Sequence, residues 1–558
     1  MSINIAVDGK EIKLDKQDYI QEGGEGIVYA KGGIVYKIYH NLQDVLPVKK
    51  YNELSVLNRD NILTPQEYIQ DKKNNTIGFT MRQVSNTVPL ARIFTTGYRD
   101  RNNITPDKSI LLVQNMAETI QYIHEKNILI VDGNEFNYLI DGKEFIIPYF
   151  IDVNSYKTIS FDATVIMPSI RDWTSKIFTK ESDWFSFAII ATQIFTGIHP
   201  FKGSHKNFDR TDLKGRMIKC KSIFNKEVNL PPITRDFSLI PTEYMDWFIS
   251  LFEKGQRSQA PTVKTKLIQK AQTIILTGKD KFIIDIIFST NDLIAGCDFI
   301  LGNKIVYTDK NIYLNKTKYS LSSNTAGIIY YDNIPYSVDT ENNKLKIVNL
   351  QSNEIIDCNI LAEKKLIIDN RLYVISGGKF SEINIKSFNN KLFIGVKTAW
   401  DILTNSISIF RNIIYSDILG ACYLYIPYQE NYCSITSIPE LNKHKIIDAK
   451  YENRLCVLTT FYDSVYNRVT IKFNESMNSY TLKIEKDIIL TGVNFICLPN
   501  GIYLIYTGEG DLIIGNKKSD QTKILTDIKI DSIMNLCHSG NDVYYYNDKS
   551  LFNLKMKN

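Results

Sequence analysis

The chain has 558 residues, of which 44% are hydrophobic and 23% are charged. These fractions are close to globular averages and exclude disorder as the dominant state, because they supply enough apolar material for large cores. At roughly 150 residues per domain, the length predicts about three or four domains, or two larger ones. Lys and Arg number 66 against 61 Asp and Glu, so the net charge of +5 gives no electrostatic argument for a nucleic-acid or membrane-surface protein.

The sequence also predicts a location. The first residues contain no apolar segment after a basic leader, and no run approaches about 18 uncharged apolar residues, so we expect neither a secretory signal nor a membrane-spanning helix. There are eight cysteines, and none forms a CxxC pair. Single cysteines inside apolar runs are typical of reduced, buried thiols. We therefore expect a cytoplasmic protein, with neither membrane nor nucleic acid among its partners.

The two halves of the chain have different patterns. Residues 1–275 mix strands and helices, and apolar residues recur at three- and four-residue steps in three windows, which predicts helices there. The windows are Ser109–Glu125, Trp184–Phe195 and Thr242–Phe252. From about Phe282 the pattern changes to short strands separated by Asn, Asp and Gly. The sequence thus predicts two domains, residues 1–275 and 280–558, joined across Gln269–Lys281.

A repeat runs through the second half. An Asn near a turn, followed by an apolar strand, recurs every 30 to 47 residues. These marks are Asn303, Asn333, Asn370, Asn412, Asn453, Asn500 and Asn541. A unit of about 40 residues with several strands is typical of a propeller blade, whose apolar face only neighbouring units can cover. Seven marks predict an all-β propeller of about seven blades, with six or eight blades left open and two stacked β-sandwiches as the alternative.

Two features near the start point to phosphate binding. The glycines of Gln21-Glu-Gly23-Gly24-Glu-Gly26-Ile-Val28 would let a hairpin approach phosphates closely, although glycines also mark ordinary hairpins. Lys37 then lies in the middle of an apolar strand, where it is either an edge lysine with its head in water or a lysine that pairs with nucleotide phosphates. Glu53 is its candidate ion-pair partner, with a solvated helix-face Glu as the alternative.

The segment from residue 123 to 155 carries the strongest signal. Asp132 and Asn137 lie five residues apart in a loop after an apolar helix, and Asp152 follows an apolar strand 20 residues later. In phosphoryl transfer, one carboxylate orients the attacking hydroxyl, while a second carboxylate and an amide oxygen hold Mg²⁺. Asp132, Asn137 and Asp152 fit this division of roles.

The order of glycine loop, strand Lys, Glu, Asp-x4-Asn and Asp resembles the protein-kinase fold over roughly residues 15–270. Later marks support the resemblance: Glu181-Ser-Asp183, whose buried Asp would anchor the catalytic loop, Gly197-Ile-His199-Pro200-Phe201, and Arg257. The catalytic segment is most similar to bacterial and phage eukaryotic-like Ser/Thr kinases with a Gly-Asp-x-Asn-x-x-Asn loop. Members of this branch often carry a C-terminal binding module, and some are linked with von Willebrand A-type proteins and PP2C-type phosphatases.

The resemblance implies an α+β bilobal kinase-like domain followed by the propeller, and ATP- and Mg²⁺-dependent phosphorylation of Ser/Thr in a protein partner that the propeller selects. The implied catalytic residues are Asp132 as the base, Lys37 held by Glu53, and Asn134 as a hydrogen-bond donor. The implied nucleotide-binding residues are Gly23, Gly24, Gly26, Val28, Lys37, Met81 and Val84. The implied Mg²⁺ ligands are Asn137 and Asp152.

Several positions depart from the usual kinase pattern. Val131 replaces the Arg before the catalytic Asp, Asn134 replaces a Lys, and Val153-Asn154 replaces Phe-Gly. No Ala-Pro-Glu segment is evident at residues 167–172, so Arg257 has no assigned partner. The residues most needed for chemistry are nevertheless all present, which favours an active kinase over the alternative, a nucleotide-binding pseudokinase scaffold whose propeller mediates protein–protein interaction.

Overall fold

The structure is a computed structural model that describes residues 2–163, 165–263, 281–320, 326–388, 391–519, 521–526 and 534–557. The chain is a multidomain, mostly β-sheet protein with few helices and many sheets. Most of the predicted junction, residues 269–280, lies outside the described residues, so the domain bounds at 275 and 280 stay a prediction. The finer assignment of a kinase-like fold followed by a propeller also stays a prediction.

The N-terminal half contains ten strands and six α-helices among its described residues. The strands are β1 (Ile3–Val7), β2 (Lys10–Leu14), β3 (Tyr19–Glu22), β4 (Gly26–Lys31), β5 (Ile34–Tyr39), β6 (Tyr68–Gln70), β7 (Thr76–Arg82), β8 (Thr87–Pro89), β9 (Tyr138–Asp141) and β10 (Pro148–Phe150). The helices are α1 (Val48–Leu54), α2 (Thr96–Arg101), α3 (Pro106–Glu125), α4 (Lys180–Thr196), α5 (Leu213–Ile218) and α6 (Thr242–Phe252). Seven strands form one antiparallel sheet in the order β2-β1-β6-β7-β5-β4-β3, and a small sheet has the order β10-β9-β8.

The three helices predicted from apolar periodicity are confirmed as α3, α4 and α6. Helix α3 begins three residues before the predicted start, because Thr105 accepts a hydrogen bond from the Lys108 backbone and Pro106 occupies the first turn. That first turn is polar and has no apolar period. Helix α4 is buried on nearly every face, so it forms the centre of the helical part. Among the described residues, no helix is both long enough and apolar enough to cross a membrane.

The C-terminal half is built from four-stranded antiparallel sheets. The first strands are β11 (Phe282–Ser289), β12 (Ile294–Ile300), β13 (Asn303–Thr308), β14 (Asn311–Leu314), β15 (Thr317–Ser320), β16 (Gly327–Tyr331), β17 (Ile334–Glu341), β18 (Lys344–Asn349), β19 (Ile355–Ile356), β20 (Lys364–Ile368), β21 (Arg371–Ser376), β22 (Lys379–Phe388) and β23 (Lys391–Asp401). The rest are β24 (Ile407–Phe410), β25 (Ile413–Ile418), β26 (Ala421–Gln429), β27 (Tyr432–Ser437), β28 (Lys445–Glu452), β29 (Leu455–Tyr462), β30 (Val465–Phe473), β31 (Tyr480–Glu485), β32 (Phe495–Cys497), β33 (Ile502–Tyr506), β34 (Leu512–Asn516), β35 (Thr522–Leu525), β36 (Asn535–Ser539), β37 (Asp542–Tyr546) and β38 (Ser550–Met556).

These strands form seven sheets that follow one another along the chain. Six sheets take four consecutive strands each, from β12–β15 to β32–β35, and the seventh has the order β11-β38-β37-β36. The first strand of this half therefore completes the last sheet, with Phe282 opposite Met556. Each of the seven Asn marks lies at the turn before, or at the start of, the second of the consecutive strands of one sheet, so the repeat predicted from the sequence is confirmed.

In some of these turns, the side chain of the repeated Asn forms hydrogen bonds to a neighbouring sheet. Asn370 has a φ of 63°, a left-handed conformation that Asn tolerates better than most residues. Its amide donates to the Tyr330 carbonyl over 2.9 Å and accepts from the Tyr330 N–H over 2.7 Å. Tyr330 lies in β16, in the preceding sheet. In the same way, Asn453 donates to the Leu498 carbonyl over 2.7 Å, so these amides connect neighbouring sheets.

The two halves share one apolar core. Ile447, Phe461 and Leu490 of the C-terminal half belong to the same buried cluster as the helices of the N-terminal half. An ion pair of 2.7 Å between Lys202 and Asp487 adds a charged contact at this boundary. The sheet β28–β31 therefore lies directly against the helical part of the N-terminal half.

Replacing Asn370 tests the amide connection between sheets. Asn370→Gly keeps the positive φ accessible but leaves the Tyr330 N–H and carbonyl without their partner, and we expect a loss of about 1–3 kcal/mol in the free energy of unfolding. Asn342→Gly is the matched control, because Asn342 has a φ of 51° and makes no side-chain hydrogen bond among the described residues. Equal urea-unfolding midpoints for the two variants would contradict the role assigned to Asn370.

Candidate functional site

Lys37 is the centre of a charged cluster beneath the glycine hairpin. The residue is only 9% exposed, and its ammonium donates to Glu25 Oε2 over 2.7 Å and to Asp152 Oδ1 over 3.2 Å. The side-chain amide of Asn154 also lies against the ammonium. Burial lowers the pKa of Lys37, but the charges of Asp152 and Glu25 outweigh burial and raise it. Lys37 is therefore a buried, fully charged cation.

The predicted partner of Lys37 is not the one that the structure shows. Glu53 lies on the outer face of α1, where its carboxylate accepts from the Ser160 N–H over 3.2 Å. The inward face of this seven-residue helix is occupied by Lys50 and Leu54 instead. The predicted Lys37–Glu53 ion pair is therefore absent from the described residues, and Glu25 takes its place. In the sequence, Glu25 lies between two glycines of the hairpin, and nothing there identifies it as an ion-pair partner of Lys37.

The glycines of the hairpin have different roles. Gly26 lies where a Cβ atom would come within 2.1 Å of the Ile38 carbonyl oxygen, so only glycine fits this strand pair. Gly23 and Gly24 have open space where a side chain would be, so packing does not require glycine at either position. Val28 is directly opposite Lys37 across β4 and β5, so their side chains share one face of the sheet.

Met81 and Val84, predicted to contact an adenine, lie at and just after the end of β7. Met81 is opposite Val35 and is half-buried against the core. Val84 is half-buried in the loop that follows, and within the described part of the chain its backbone N–H makes no hydrogen bond. An apolar side chain beside an unpaired backbone donor suits the edge of a purine ring.

The loop containing Asp132 is fixed by one buried carboxylate. Asp183 on α4 accepts from the Ile130 N–H over 2.8 Å, from the Val131 N–H over 2.9 Å, and from His124 Nε2 over 2.9 Å. Val131 has a φ of 63°, which is strained for a β-branched residue and persists only where surrounding bonds impose it. The prediction that Asp183 anchors this loop is confirmed.

Asp132 and Asn137 are connected through the backbone of their loop. The Asp132 carboxylate accepts from Asn134 Nδ2 over 3.0 Å and from the Met167 N–H over 2.8 Å. Asn137 donates its amide N–H to the Asp132 carbonyl over 2.8 Å and accepts from the Ile151 N–H at its own carbonyl over 3.1 Å. The structure thus brings Asp132, Asn134 and Asn137 together and joins them to the strand end before Asp152.

Asp152 has the features of a cation ligand. Its φ of 58° turns the chain sharply after β10, and burial raises the pKa of its carboxyl against the opposing charge of Lys37. Its Oδ2 and the Asn137 side-chain oxygen accept no hydrogen bond from the described residues. These hard oxygen donors fit Mg²⁺.

No group of three or more His, Cys, Asp or Glu in the described ranges is arranged to hold a metal, and all eight cysteines, which are described, are free.

Arg257 has a partner that the sequence did not identify. Its guanidinium binds Asp172 with two hydrogen bonds, from Nε over 2.6 Å and from NH2 over 2.9 Å. Asp172 is the acidic residue of the 167–172 segment. The only feature of the sequence that could have identified this pair is that an Arg such as Arg257 needs a carboxylate partner. The pair fixes the segment whose Met167 N–H bonds to Asp132.

No protein-family model matches this chain, and no curated protein matches its sequence. Its function must therefore be inferred from the site geometry.

Asp172 makes stability depend on pH. Burial raises the pKa of its carboxyl, but the Arg257 and Thr174 hydrogen bonds outweigh burial and lower it below the unfolded value of about 3.9. The stabilisation is therefore present above about pH 4 and is lost as the pH falls through the folded pKa. We expect Asp172→Asn to lose about 3–5 kcal/mol at neutral pH, and this deficit to shrink below about pH 4.

Unfolding midpoints between about pH 3 and about pH 7 check this expectation. Asp209→Asn is the control, because Asp209 is exposed and its carboxylate has no described partner. A deficit for Asp172→Asn that stays constant over the whole range would show that the carboxylate charge does not stabilise the fold.

Proposed function

We propose that the N-terminal half is a protein-kinase-like domain that transfers the γ-phosphate of ATP to Ser or Thr of a protein partner. The observation that carries this proposal is the direct Lys37–Asp152 contact, because it joins a cation under the glycine hairpin to a carboxylate beside the Asp132 loop. Phosphoryl transfer needs a phosphate-binding cation, a metal-binding carboxylate and a base in one cleft. Lys37, Asp152 and Asp132 supply these three groups.

Each side chain has a role that follows from its surroundings. Lys37 binds nucleotide phosphates, the Gly23-Gly24 turn covers them with backbone N–H groups, and the Met81–Val84 edge receives the base. Asp132 accepts the proton of the substrate hydroxyl. Asn137 and Asp152 would hold Mg²⁺, which neutralises phosphate charge when it is bound. Asn134 orients the Asp132 carboxylate through its 3.0 Å hydrogen bond.

The present arrangement is that of a resting site. Glu25 forms an ion pair with the Lys37 ammonium, and an incoming phosphate would compete with this carboxylate for the same cation. The Met167 N–H occupies one oxygen of Asp132, so the segment around Met167 must move before a hydroxyl can reach that atom.

The Met167 bond also favours a second function, a nucleotide-binding pseudokinase scaffold. If the Met167 segment does not move, Asp132 stays covered, nucleotide still binds at Lys37, and no phosphate is transferred. The C-terminal half would then carry the main activity of the protein.

For the C-terminal half we propose a seven-bladed propeller that selects the protein partner. Seven successive four-stranded sheets, with the first strand completing the last sheet, support this assignment. A protein substrate or regulator would bind at the loops between strands. A von Willebrand A-type protein and a PP2C-type phosphatase are the candidate partners that the kinase resemblance implies, and a cytoplasmic location belongs to the same proposal.

Phosphate transfer is the direct test. The wild-type chain with radiolabelled ATP and Mg²⁺ should label itself or a generic acceptor, and Lys37→Ala, Asp152→Ala and Asp132→Asn should each lower the initial rate by at least about 10²-fold. Lys31→Ala is the control, because Lys31 lies in the same hairpin and pairs with Asp18 instead. ATP that raises the melting temperature without any labelling would favour the scaffold.

Nucleotide affinity tests the competition at Lys37. Glu25→Gln removes the competing carboxylate, and because Glu25 is half exposed we expect only about two- to fivefold tighter binding of Mg²⁺-ATP by titration calorimetry. Glu22→Gln is the matched control, since Glu22 lies in the same hairpin and faces His40. Unchanged or weaker binding in Glu25→Gln would refute the displacement of Glu25 by phosphate.

A further inference from the structure

The C-terminal half covers the loop between Asp132 and Asn137. The Phe136 ring packs on Phe461 with 4.6 Å between ring centroids, and the Tyr466 hydroxyl donates to the buried Glu135 carboxylate. The Lys445 ammonium lies 4.1 Å from the centroid of the Phe136 ring. Each contact joins residues more than 300 positions apart along the chain.

The three C-terminal residues form one row. Lys445 on β28 is directly opposite Phe461 on β29, and Phe461 is directly opposite Tyr466 on β30. Residues opposite each other in an antiparallel sheet project to the same face. The Lys445–Phe461–Tyr466 row therefore faces the Asp132 loop as a unit, and the apolar contact between Phe136 and Phe461 fixes where Lys445 lies.

Lys445 is a cation without a close counter-ion. Its side chain is exposed, and among the described residues no carboxylate lies within 4.0 Å of its ammonium. The neighbouring carboxylates already have other partners: Asp132 accepts from Asn134 and Met167, Asp152 from Lys37, and Glu135 from Tyr466.

The electrostatics support this placement. Partial loss of hydration lowers the pKa of Lys445, and the negative charges of Glu135, Asp152 and Asp132 oppose this shift. A cation that lies against the Phe136 ring of the Asp132 loop and has no carboxylate partner is positioned to receive an anion at that loop.

We propose that Lys445 is a catalytic residue that the C-terminal half contributes to the phosphate-transfer site, where it binds the terminal phosphate of ATP. The proposal rests on the proposed function, because it takes Lys37 and Asp152 as the nucleotide site. Lys37 is enclosed under the glycine hairpin, whereas Lys445 lies on the side of the Asp132 loop. The two cations would therefore contact different phosphates of one nucleotide.

The step that Lys445 assists can be written in full. The substrate hydroxyl oxygen forms a bond to the γ-phosphorus, and the bond from that phosphorus to the β–γ bridging oxygen breaks. The bridging oxygen leaves with the electron pair as part of ADP, and the hydroxyl proton passes to Asp132. Lys445 neutralises the charge on the transferred phosphoryl group and forms no covalent bond.

The test compares Mg²⁺-ATP with Mg²⁺-ADP on the full-length protein by titration calorimetry. Lys445→Met should weaken ATP binding by about 10- to 100-fold and leave ADP binding within about twofold of wild type, because only ATP carries the terminal phosphate. Met preserves contact with the Phe136 ring, so the unfolding midpoint should stay close to that of wild type. Lys445→Arg should restore most of the preference for ATP.

Lys443→Met is the matched control. Lys443 is exposed two residues before Lys445 and makes no side-chain hydrogen bond or ion pair with a described residue, so the Lys443→Met variant should bind both nucleotides like wild type. Equal loss of ATP and ADP affinity in Lys445→Met, or no loss of either, would overturn the role of Lys445 while leaving the nucleotide site intact. A wild-type protein that binds neither nucleotide would overturn the proposed function itself, and the role of Lys445 with it.

Discussion

The buried carboxylate of Asp183 is the constraint on which the candidate site depends. It pairs with two consecutive backbone N–H groups, at Ile130 and Val131, and with His124, and so imposes a strained backbone just before Asp132. Buried N–H groups without partners are costly, and a β-branched residue does not adopt a positive φ without such compensation. The direction of the Asp132 loop, and with it the position of Phe136, follows from these bonds.

Electrostatic balance explains the resting state of the site. Glu25, Asp132, Glu135 and Asp152 bring four carboxyl groups near two cations, Lys37 and Lys445. In the absence of phosphate, the glycine hairpin supplies Glu25 to Lys37, while the exposed Lys445 keeps part of its hydration. If the site binds a nucleotide as proposed, the nucleotide adds several negative charges, so its binding would require that Glu25 withdraw and would favour a second cation such as Lys445. Under this proposal, the carboxylates of the cleft balance the charge of Lys37 until a polyphosphate replaces them.

The features that could be predicted from the sequence are those with a local signal. Helices α3, α4 and α6 follow from apolar periodicity, and the seven sheets follow from Asn at recurrent turns. At Asn370 and Asn453, a positive φ and a side-chain hydrogen bond to a neighbouring sheet both favour that residue. Asp183 followed from a resemblance to a known loop anchor. Glu53 was the wrong partner for Lys37, because the rotation of a short helix about its axis depends on packing that a single sequence does not contain.

Lys445 shows where a single sequence stops being informative. Nothing near it resembles a phosphate-binding motif, and its proposed role depends on a contact between Phe136 and Phe461, which lie in opposite halves of the chain. The same contact joins the sheet β28–β31 to the Asp132 loop through a continuous packed core, because Ile447 and Phe461 belong to the apolar cluster of the N-terminal half. A small shift of this sheet, caused by a bound partner, would displace Lys445 relative to Asp132, because closely packed side chains transmit displacement. If Lys445 acts as proposed, binding at the C-terminal half and chemistry at the N-terminal half are physically connected through the Lys445–Phe461–Tyr466 row.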